Sequence, residues 1–207
     1  MSVRTLSRQY GVALRAMLVA TALLGVAYTA LVTGVGQLAL GTRADGSVVE
    51  VDGRAVGSSL VGQSFTDADG AALPEWFQSR PSAAGDGYDA SASSGSNLGP
   101  ESDDLAAAVD ERRAAIVASD GVDPASVPVD ALTASASGLD PDVSPTYARL
   151  QVERVAAARD LPVAEVSALV EQHVQGRDLG YLGEPTVDVL ELNVALAALA
   201  ALAGRAG

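Results

Sequence analysis

The feature that most constrains this chain is an uncharged run of 25 residues near its start, from Ala16 to Leu40. At about 1.5 Å per residue, a helix of this length reaches roughly 37 Å, enough to cross a hydrocarbon core of about 30 Å. A secretory signal peptide is the alternative, but its apolar core has only about 7–15 residues. The Ala39-Leu40-Gly41 sequence also resembles a small-x-small cleavage site poorly. We therefore predict an uncleaved transmembrane helix over 16–40.

The arginines near this run predict its orientation. Three precede it and two follow it shortly afterwards: Arg4, Arg8, Arg15, Arg43 and Arg54. Positive charge favours the cytoplasmic side of a membrane. We expect a short cytoplasmic N-terminus at 1–15 and one extracytoplasmic domain at 41–207, in a single-pass protein of the cell membrane.

The part of the chain after the run is strongly acidic. Residues 45–207 hold all 26 acidic residues and nine of the 13 basic ones, a net charge of −17. Such a charge disfavours nucleic acid and anionic lipid surfaces as partners. The chain has no cysteine, which excludes disulfides and zinc-thiolate sites, and every basic residue is an arginine. We expect a soluble domain that binds no nucleic acid.

The sequence patterns of this domain predict an α+β fold. Short β segments are expected at 46–51 and 54–65, and a further strand at 186–192. A Ser/Gly/Asp-rich connection fills most of 71–100. Apolar periodicity and capping residues such as Ser144-Pro145 predict the helices. They are expected at 102–118, 126–132, 144–159 and 195–203. A further helix is expected to begin at Pro162 and to end at Gly176 and Gly180.

Several short motifs have the residue types of active sites without the required spacing. Ser135, Ser137, Asp140 and the single histidine, His173, could supply a Ser-His-Asp triad, but the Gly-x-Ser-x-Gly elbow is absent. His173 ends an apolar helical stripe, which is more typical of a core or C-terminal-cap histidine. The segment Gly57–Gln63 lacks the lysine of a phosphate-binding loop. We predict no catalytic residue and no metal site.

Two polar segments are better candidates for contacts with a ligand or partner. Ser93–Pro100 (SSGSNLGP) combines glycine-freed backbone amides with hydroxyl and amide side chains, which can bind an anion or the polar edge of a ligand. Thr133–Pro145 (TASASGLDPDVSP) is the densest polar cluster in the chain. Surface turns and helix caps are the structural alternative for both.

The exported part also resembles a known family. The stretches that carry the resemblance are GSSLVGQSF (57–65), FQSRPSA (77–83), SSGSNLGP (93–100), VPVDALTASASGLDPDVSP (127–145), QVERVAAAR (151–159) and LGEPTVDVLELNVAL (182–196). Together they resemble the C subunit of the Kdp-type potassium-transporting P-type ATPase. The chain departs from that family's usual pattern at Ser94 and Asp142, where glycine and histidine are usual, and at Thr186 and Asp188, where basic or amide residues are common.

The resemblance implies an accessory subunit that does not itself hydrolyse ATP. Its implied partners are a channel-like potassium-binding subunit, a P-type ATP-hydrolysing subunit and a small membrane subunit, besides the lipid bilayer. The family is described as a catalytic chaperone that raises the ATP affinity of the hydrolysing subunit. ATP is thus implied through that subunit, potassium is the ion that the complex carries, and we expect no cofactor bound by this chain. The chain has no DKTG phosphorylation motif. A membrane-anchored extracytoplasmic serine hydrolase that uses Ser135 or Ser137 is the alternative.

Candidate partner-contact or ligand residues follow from these segments: Gln63, Arg80, Ser96, Asn97, Ser135, Ser137, Asp140, Gln151 and Arg154. Within the membrane run, Gly25, Gly34 and Gly36 offer the small surfaces on which membrane helices approach closely. We expect them to dock the helix against the other subunits.

Overall fold

The computed structural model describes residues 3–206 and divides into two compact units at Ser47 and Val48. The first unit is built on one long apolar helix, with α1 at Val3–Ala20 and α2 at Thr29–Ala39. Within residues 3–206, one helix is long and apolar enough to cross a membrane. It runs over Leu6–Ala39, and its most apolar stretch has no buried residue. The predicted span 16–40 thus lies within a helix that starts earlier, except for Leu40.

Between α1 and α2 the helix widens to i→i+5 hydrogen bonding over Thr21–Tyr28. The Thr29 hydroxyl lies 3.5 Å from the Leu24 carbonyl oxygen, five residues back. The helical φ and ψ angles of Ala20 and Thr29 show that the direction continues through this segment. At Leu40 φ changes to −137° and the helix ends; the short α3 (Gly41–Ala44) follows.

The second unit begins with an antiparallel hairpin of β1 (Val48–Val51) and β2 (Arg54–Ser58). Its two-residue turn, Asp52-Gly53, has φ values of 51° and 73°. Positive φ at both positions is what a tight hairpin turn requires, and Asp-Gly accommodates it. Of the short β segments predicted over 54–65, the structure has a regular strand only to Ser58. Beyond Ser58, this range has one isolated bridge, between Ser58 and Val61.

Helices form most of the regular structure of this unit. They are α4 (Asp103–Asp120), α5 (Val129–Leu132), α6 (Pro145–Leu150), α7 (Val152–Arg159), α8 (Val163–Gln172) and α9 (Val189–Ala206). A second antiparallel pair joins β3 (Asp142–Val143) to β4 (Val187–Asp188). Single 3₁₀ turns lie at Ala90–Ala92 and Pro124–Ser126. The unit is a mixed helix-and-strand body, in agreement with the predicted α+β class.

Helix boundaries follow the capping residues. The Ser144 hydroxyl accepts a hydrogen bond from the Tyr147 N–H at 3.1 Å, and Pro145 occupies the first helical position, as predicted. The helix expected over 144–159 is divided at Gln151 into α6 and α7.

Two boundary predictions were wrong. The helix from Pro162 ends at Gln172 rather than at the glycines, because His173 caps it. The strand expected over 186–192 gives way to α9 at Val189. There the Asp188 carboxylate accepts the Glu191 N–H at 2.8 Å, which starts a helix.

The core lies between α6, α7, α8 and α9. Its fully buried side chains include Val155, Val166, Val170, Leu192 and Leu196. Phe77, 1 % exposed, is held in this core by two hydrogen bonds with Asn193. The Phe77 N–H donates to Asn193 Oδ1 and Asn193 Nδ2 donates to the Phe77 carbonyl, both at 2.9 Å. The segment around Phe77 is therefore tied to the last helix across 116 residues of chain.

Candidate functional site

The structure brings the two predicted polar segments, 93–100 and 133–145, into direct contact. The Ser94 N–H donates to the Ser137 carbonyl at 2.9 Å. Gly138 has a φ of +70°, and a Cβ added there would lie 2.6 Å from the Ser94 carbonyl oxygen. The close approach of the two backbones thus requires glycine at 138.

Ser96 and Asn97, in the 93–100 segment, lie at the surface. Both side chains are exposed, and Asn97 adopts a positive φ of 53°. Asparagine tolerates this left-handed conformation better than most residues. These two candidates are therefore available to a partner, as a surface contact requires.

The candidate serines close turns. Ser135, 3 % exposed, accepts the Gly138 N–H at 3.1 Å, and its hydroxyl lies 3.1 Å from that of Ser137. The Ser137 hydroxyl in turn accepts a backbone N–H two residues on, at 3.1 Å. His173 Nδ1 lies 2.8 Å from the Leu169 carbonyl oxygen. Within residues 3–206 no hydrogen bond joins His173 to either serine, so the structure does not assemble the triad.

Arg80 and Asp140 form an ion pair at 2.6 Å, and their side chains are 22 % and 30 % exposed. Arg80 Nη2 also lies 3.4 Å from the Thr133 carbonyl oxygen. Tyr88 donates its hydroxyl to the Arg80 carbonyl at 2.6 Å, and burial is the main cause that raises the pKa of Tyr88 to about 12. This phenol stays neutral at physiological pH and serves as a donor. The ion pair therefore links the segment around Arg80 to the 133–145 segment.

Gln151 and Arg154 lie inside the body. Gln151 is fully buried, and its Oε1 accepts the Gln78 N–H at 2.7 Å and Arg154 Nη2 at 2.6 Å. Arg154 pairs with Asp120 at 2.8 Å, with 7 % and 3 % of the two side chains exposed. Its Nη1 also donates to the Trp76 carbonyl at 3.0 Å. Their polar groups hold α4 and α7 against the 74–78 segment, so these two candidates serve the interior of the body.

A second arginine on α7 holds the same segment, and the sequence patterns did not single it out. The Arg159 guanidinium lies 4.1 Å from the centroid of the Trp76 ring, and its Nε donates to the Glu75 carbonyl at 2.6 Å. Arg154 and Arg159 are five residues apart, so helical spacing does not place them on one face, and the 74–78 segment has no regular pattern that would pair with them. Only the folded chain shows the pair.

The body contains a cleft of about 710 Å³ beside α4. Its polar lining includes Arg80, Tyr88 and Arg112, and its apolar lining includes Phe65, Ala115 and Ile116. Arg112 donates from Nη1 to the Leu132 carbonyl at 2.8 Å. Arg112 and Tyr88 were missed from the sequence, because neither lies in a polar motif.

A second cavity, of about 690 Å³, is mainly apolar and lies between the hairpin and α9. Val51, Trp76, Val194 and Leu202 are among its lining residues. Gln63 lies at this cavity and donates from Nε2 to the Val56 carbonyl at 2.8 Å. This candidate thus joins the hairpin to the rest of the body.

In the membrane-helix unit, the three candidate glycines have little around them. A Cβ at Gly34 would meet nothing within 4 Å. At Gly25 and Gly36 the nearest atoms, on Thr21 and Ala44, would lie at ordinary contact distances of 3.8 and 3.7 Å. The helix surface at these positions is open, as a docking face requires.

Two carboxylates face one another where β3 pairs with β4. Asp142 and Asp188 are register partners. Burial raises the pKa of Asp188 to about 6, with further increases from the charges of Glu191 and Asp142. Burial, together with the charge of Asp140, also raises the pKa of Asp142. Within the described range, no three or more His, Cys, Asp or Glu residues are grouped to hold a metal ion.

Comparison with known proteins gives consistent matches over nearly the whole chain. The family model described as "KdpC: K+-transporting ATPase, c chain" matches residues 10–198. A potassium-transporting ATPase KdpC subunit of Kineococcus radiotolerans is 59 % identical over 196 residues, 95 % of this chain and 96 % of the relative. The same-named subunits of Gemmatimonas aurantiaca and Nitratidesulfovibrio vulgaris are 53 % and 56 % identical. Both matches cover 91 % of this chain, and 94 % and 92 % of the relatives respectively.

Proposed function

The chain belongs to the KdpC family, the c chains of potassium-transporting ATPases, and on that premise we propose that it is a non-hydrolysing accessory subunit that assembles and stabilises such a pump. The observation that carries the proposal is the family match over 10–198, which includes both the apolar helix and the body. The internal bonding of the body supports it. Arg154, Gln151 and Arg159 hold the irregular 74–78 segment by hydrogen bonds to its backbone, so these polar groups serve the fold and not a catalytic site.

The proposed partners are a channel-like potassium-binding subunit, a P-type ATP-hydrolysing subunit and a small membrane subunit. The apolar helix anchors the chain, with residues before it in the cytoplasm and the body outside. Arginines before the helix support this orientation. The open surfaces at Gly25, Gly34 and Gly36 support a second role for the helix, as a docking element in the membrane.

The chaperone effect on ATP affinity is part of the proposal, and it acts through the hydrolysing subunit. An extracytoplasmic body is separated from cytoplasmic ATP by the bilayer. The effect must therefore pass through the membrane helix or the N-terminal residues. We propose no ATP site in the body.

The test is co-purification of the full chain with the other subunits in detergent, followed by potassium-stimulated ATP hydrolysis with and without the chain. We expect a complex whose potassium-stimulated hydrolysis falls when the chain is left out. A chain that migrates alone, and whose removal leaves potassium uptake intact at micromolar potassium, refutes the proposal.

The docking role of the helix has its own test. Replacement of all residues of 16–40 by leucine preserves an anchor but fills the open surface at Gly34. We expect the variant to stay in the membrane and to lose assembly, since small residues allow close helix approach. Full assembly of this variant would reduce the helix to a tether.

The serine hydrolase alternative gains no support from the geometry, because both candidate hydroxyls close turns and His173 caps α8. A serine-directed phosphonate is the decisive reagent. Labelling of the purified chain at Ser135 or Ser137 would favour the hydrolase, and an unlabelled chain with no hydrolytic activity favours the accessory role.

A further inference from the structure

Two arginines at the cleft beside α4, Arg80 and Arg112, contact neighbouring backbone carbonyls. Arg112 donates to the carbonyl of Leu132 at 2.8 Å, and Arg80 Nη2 lies 3.4 Å from the carbonyl of Thr133, the next residue. Both side chains line the cleft. The cleft therefore carries two positive charges, which favour an anion nearby.

The acidic groups at the cleft balance only part of this charge. Asp140 pairs with Arg80, and Asp120 pairs with Arg154 in the interior. Among residues 3–206, Arg112 has no carboxylate within ion-pair distance. In a body with a net charge of −17, this cleft therefore holds one arginine, Arg112, without a carboxylate partner among the described residues.

We propose that the cleft binds an acidic loop of a neighbouring subunit, with an Asp or Glu carboxylate of that loop at Arg112. This inference rests on the proposed assembly function and names the chemistry of one contact. The apolar residues Phe65, Ala115 and Ile116 line the same cleft, which suits a peptide segment with one acidic side chain.

The low strength of an exposed ion pair indicates which ligand occupies the cleft, a partner loop or a free organic acid. A partly exposed arginine–carboxylate pair shifts an equilibrium by roughly fivefold at most. A free acid at ordinary concentrations does not occupy such a site. A loop on an already assembled subunit has an effective concentration in the millimolar range or above, and a modest charge pair then fixes its register.

The absence of lysine from the chain makes a sharp test possible. The variant Arg112→Lys gives the body a single side-chain amine, which a carbodiimide joins to a carboxylate in contact with it as an amide. The full chain is co-purified with its partner subunits, cross-linked and mapped by mass spectrometry. The matched control is Arg113→Lys, one position along α4, where the native arginine pairs with Asp110 at 2.8 Å and does not line the cleft.

We expect a cross-link from Arg112→Lys to one acidic loop of a partner, several-fold above the level in Arg113→Lys and in the unchanged chain. An intact complex without this cross-link overturns the inference and leaves the proposed function standing. Attachment only to carboxylates of the chain itself overturns it as well. Failure of the unchanged chain to co-purify refutes the assembly function instead.

A second variant covers the case in which Arg112→Lys does not assemble. A photo-crosslinking residue at Ser119, which also lines the cleft, is compared with one at the exposed Ala168 on α8. Cross-links from Ser119 to an acidic partner loop support the inference. Equal yields from the two positions, or a partner segment without acidic residues, refute it.

Discussion

Replacement of Asp188 by asparagine should stabilise the body near neutral pH. Asp188 is 4 % exposed, faces Asp142 across the β3–β4 pair, and accepts the Glu191 N–H at the start of α9. Burial raises its pKa to about 6 in the folded chain. A carboxyl with a raised pKa binds its proton more tightly when folded, so stability falls as pH rises from about 4 to about 6.

The size of the effect follows from the shift. A rise from 3.8 to about 6 corresponds to roughly 3 kcal/mol if it is converted in full. Screening by solvent at the edge of the body, where Glu191 is exposed, reduces this to about 1–2 kcal/mol. Asparagine removes the charge and keeps the oxygen that caps α9. Asp188→Asn is therefore expected to raise the free energy of unfolding by about 1–2 kcal/mol at pH 7.5, and by roughly half as much at pH 5.

The assay is thermal unfolding of the detergent-solubilised full chain, followed by the fluorescence of its single tryptophan, Trp76. For a body of this size, 1 kcal/mol moves Tm by about 2–4 °C. Asp188→Ala is the control, because it also removes the charge but loses the cap, which is worth about 1 kcal/mol. An asparagine variant no more stable than the unchanged chain at pH 7.5, or a difference independent of pH, would refute the reasoning.

The buried ion pair and the close backbone approach give two further predictions. Arg154→Leu strands the carboxylate of Asp120 and should destabilise the body by about 3–5 kcal/mol in urea unfolding, whereas Arg149→Leu breaks an exposed pair and should change stability by less than about 1 kcal/mol. Gly138→Ala places a methyl group 2.6 Å from the Ser94 carbonyl oxygen at a positive φ, and should lower stability by about 2 kcal/mol or more.

Each of these has a result that would contradict it. Equal urea midpoints for the two arginine variants would mean that the Arg154 network contributes no more than a surface pair. Gly70→Ala is the matched control for the glycine, because φ there is +82° and a Cβ would meet nothing within 4 Å. A loss at Gly70 as large as that at Gly138 would assign the effect to φ alone and not to the contact between the segments.

The helix start at Ser144-Pro145 was the most predictable part of the fold, because the serine cap and the proline act locally. The end of α8 was less predictable: the sequence indicated His173 as a core or cap residue, but the glycines were expected to end the helix, which ends at Gln172. The prediction of a strand over 186–192 was right only for Val187–Asp188, and it was wrong beyond them for a physical reason. That segment alternates enough to suggest a strand, but Asp188 caps the next backbone amides and four consecutive residues from Val187 are buried, so helix packing replaces the strand ladder.

The candidate site was predictable only in its segments. The polar composition of 93–100 and 133–145 indicated two contact loops, and the structure shows that they touch. The candidates Gln151 and Arg154 are buried, which the sequence did not indicate, because their burial depends on the 74–78 segment, which has no regular structure. Arg112 lies on α4, outside both polar segments. Its contact with the Leu132 carbonyl depends on where α5 ends, which the sequence around Arg112 does not show.

The paired hydrogen bonds between Phe77 and Asn193 have a consequence for biosynthesis. The ribosome adds about 5–20 residues per second, so the 116 residues between the two partners take roughly 6–23 s to make. During that interval Phe77 and the side chains around it have no final helix to pack against. The body can complete its core only after almost the whole chain exists, which leaves a long window in which apolar surface is open to chaperones and proteases.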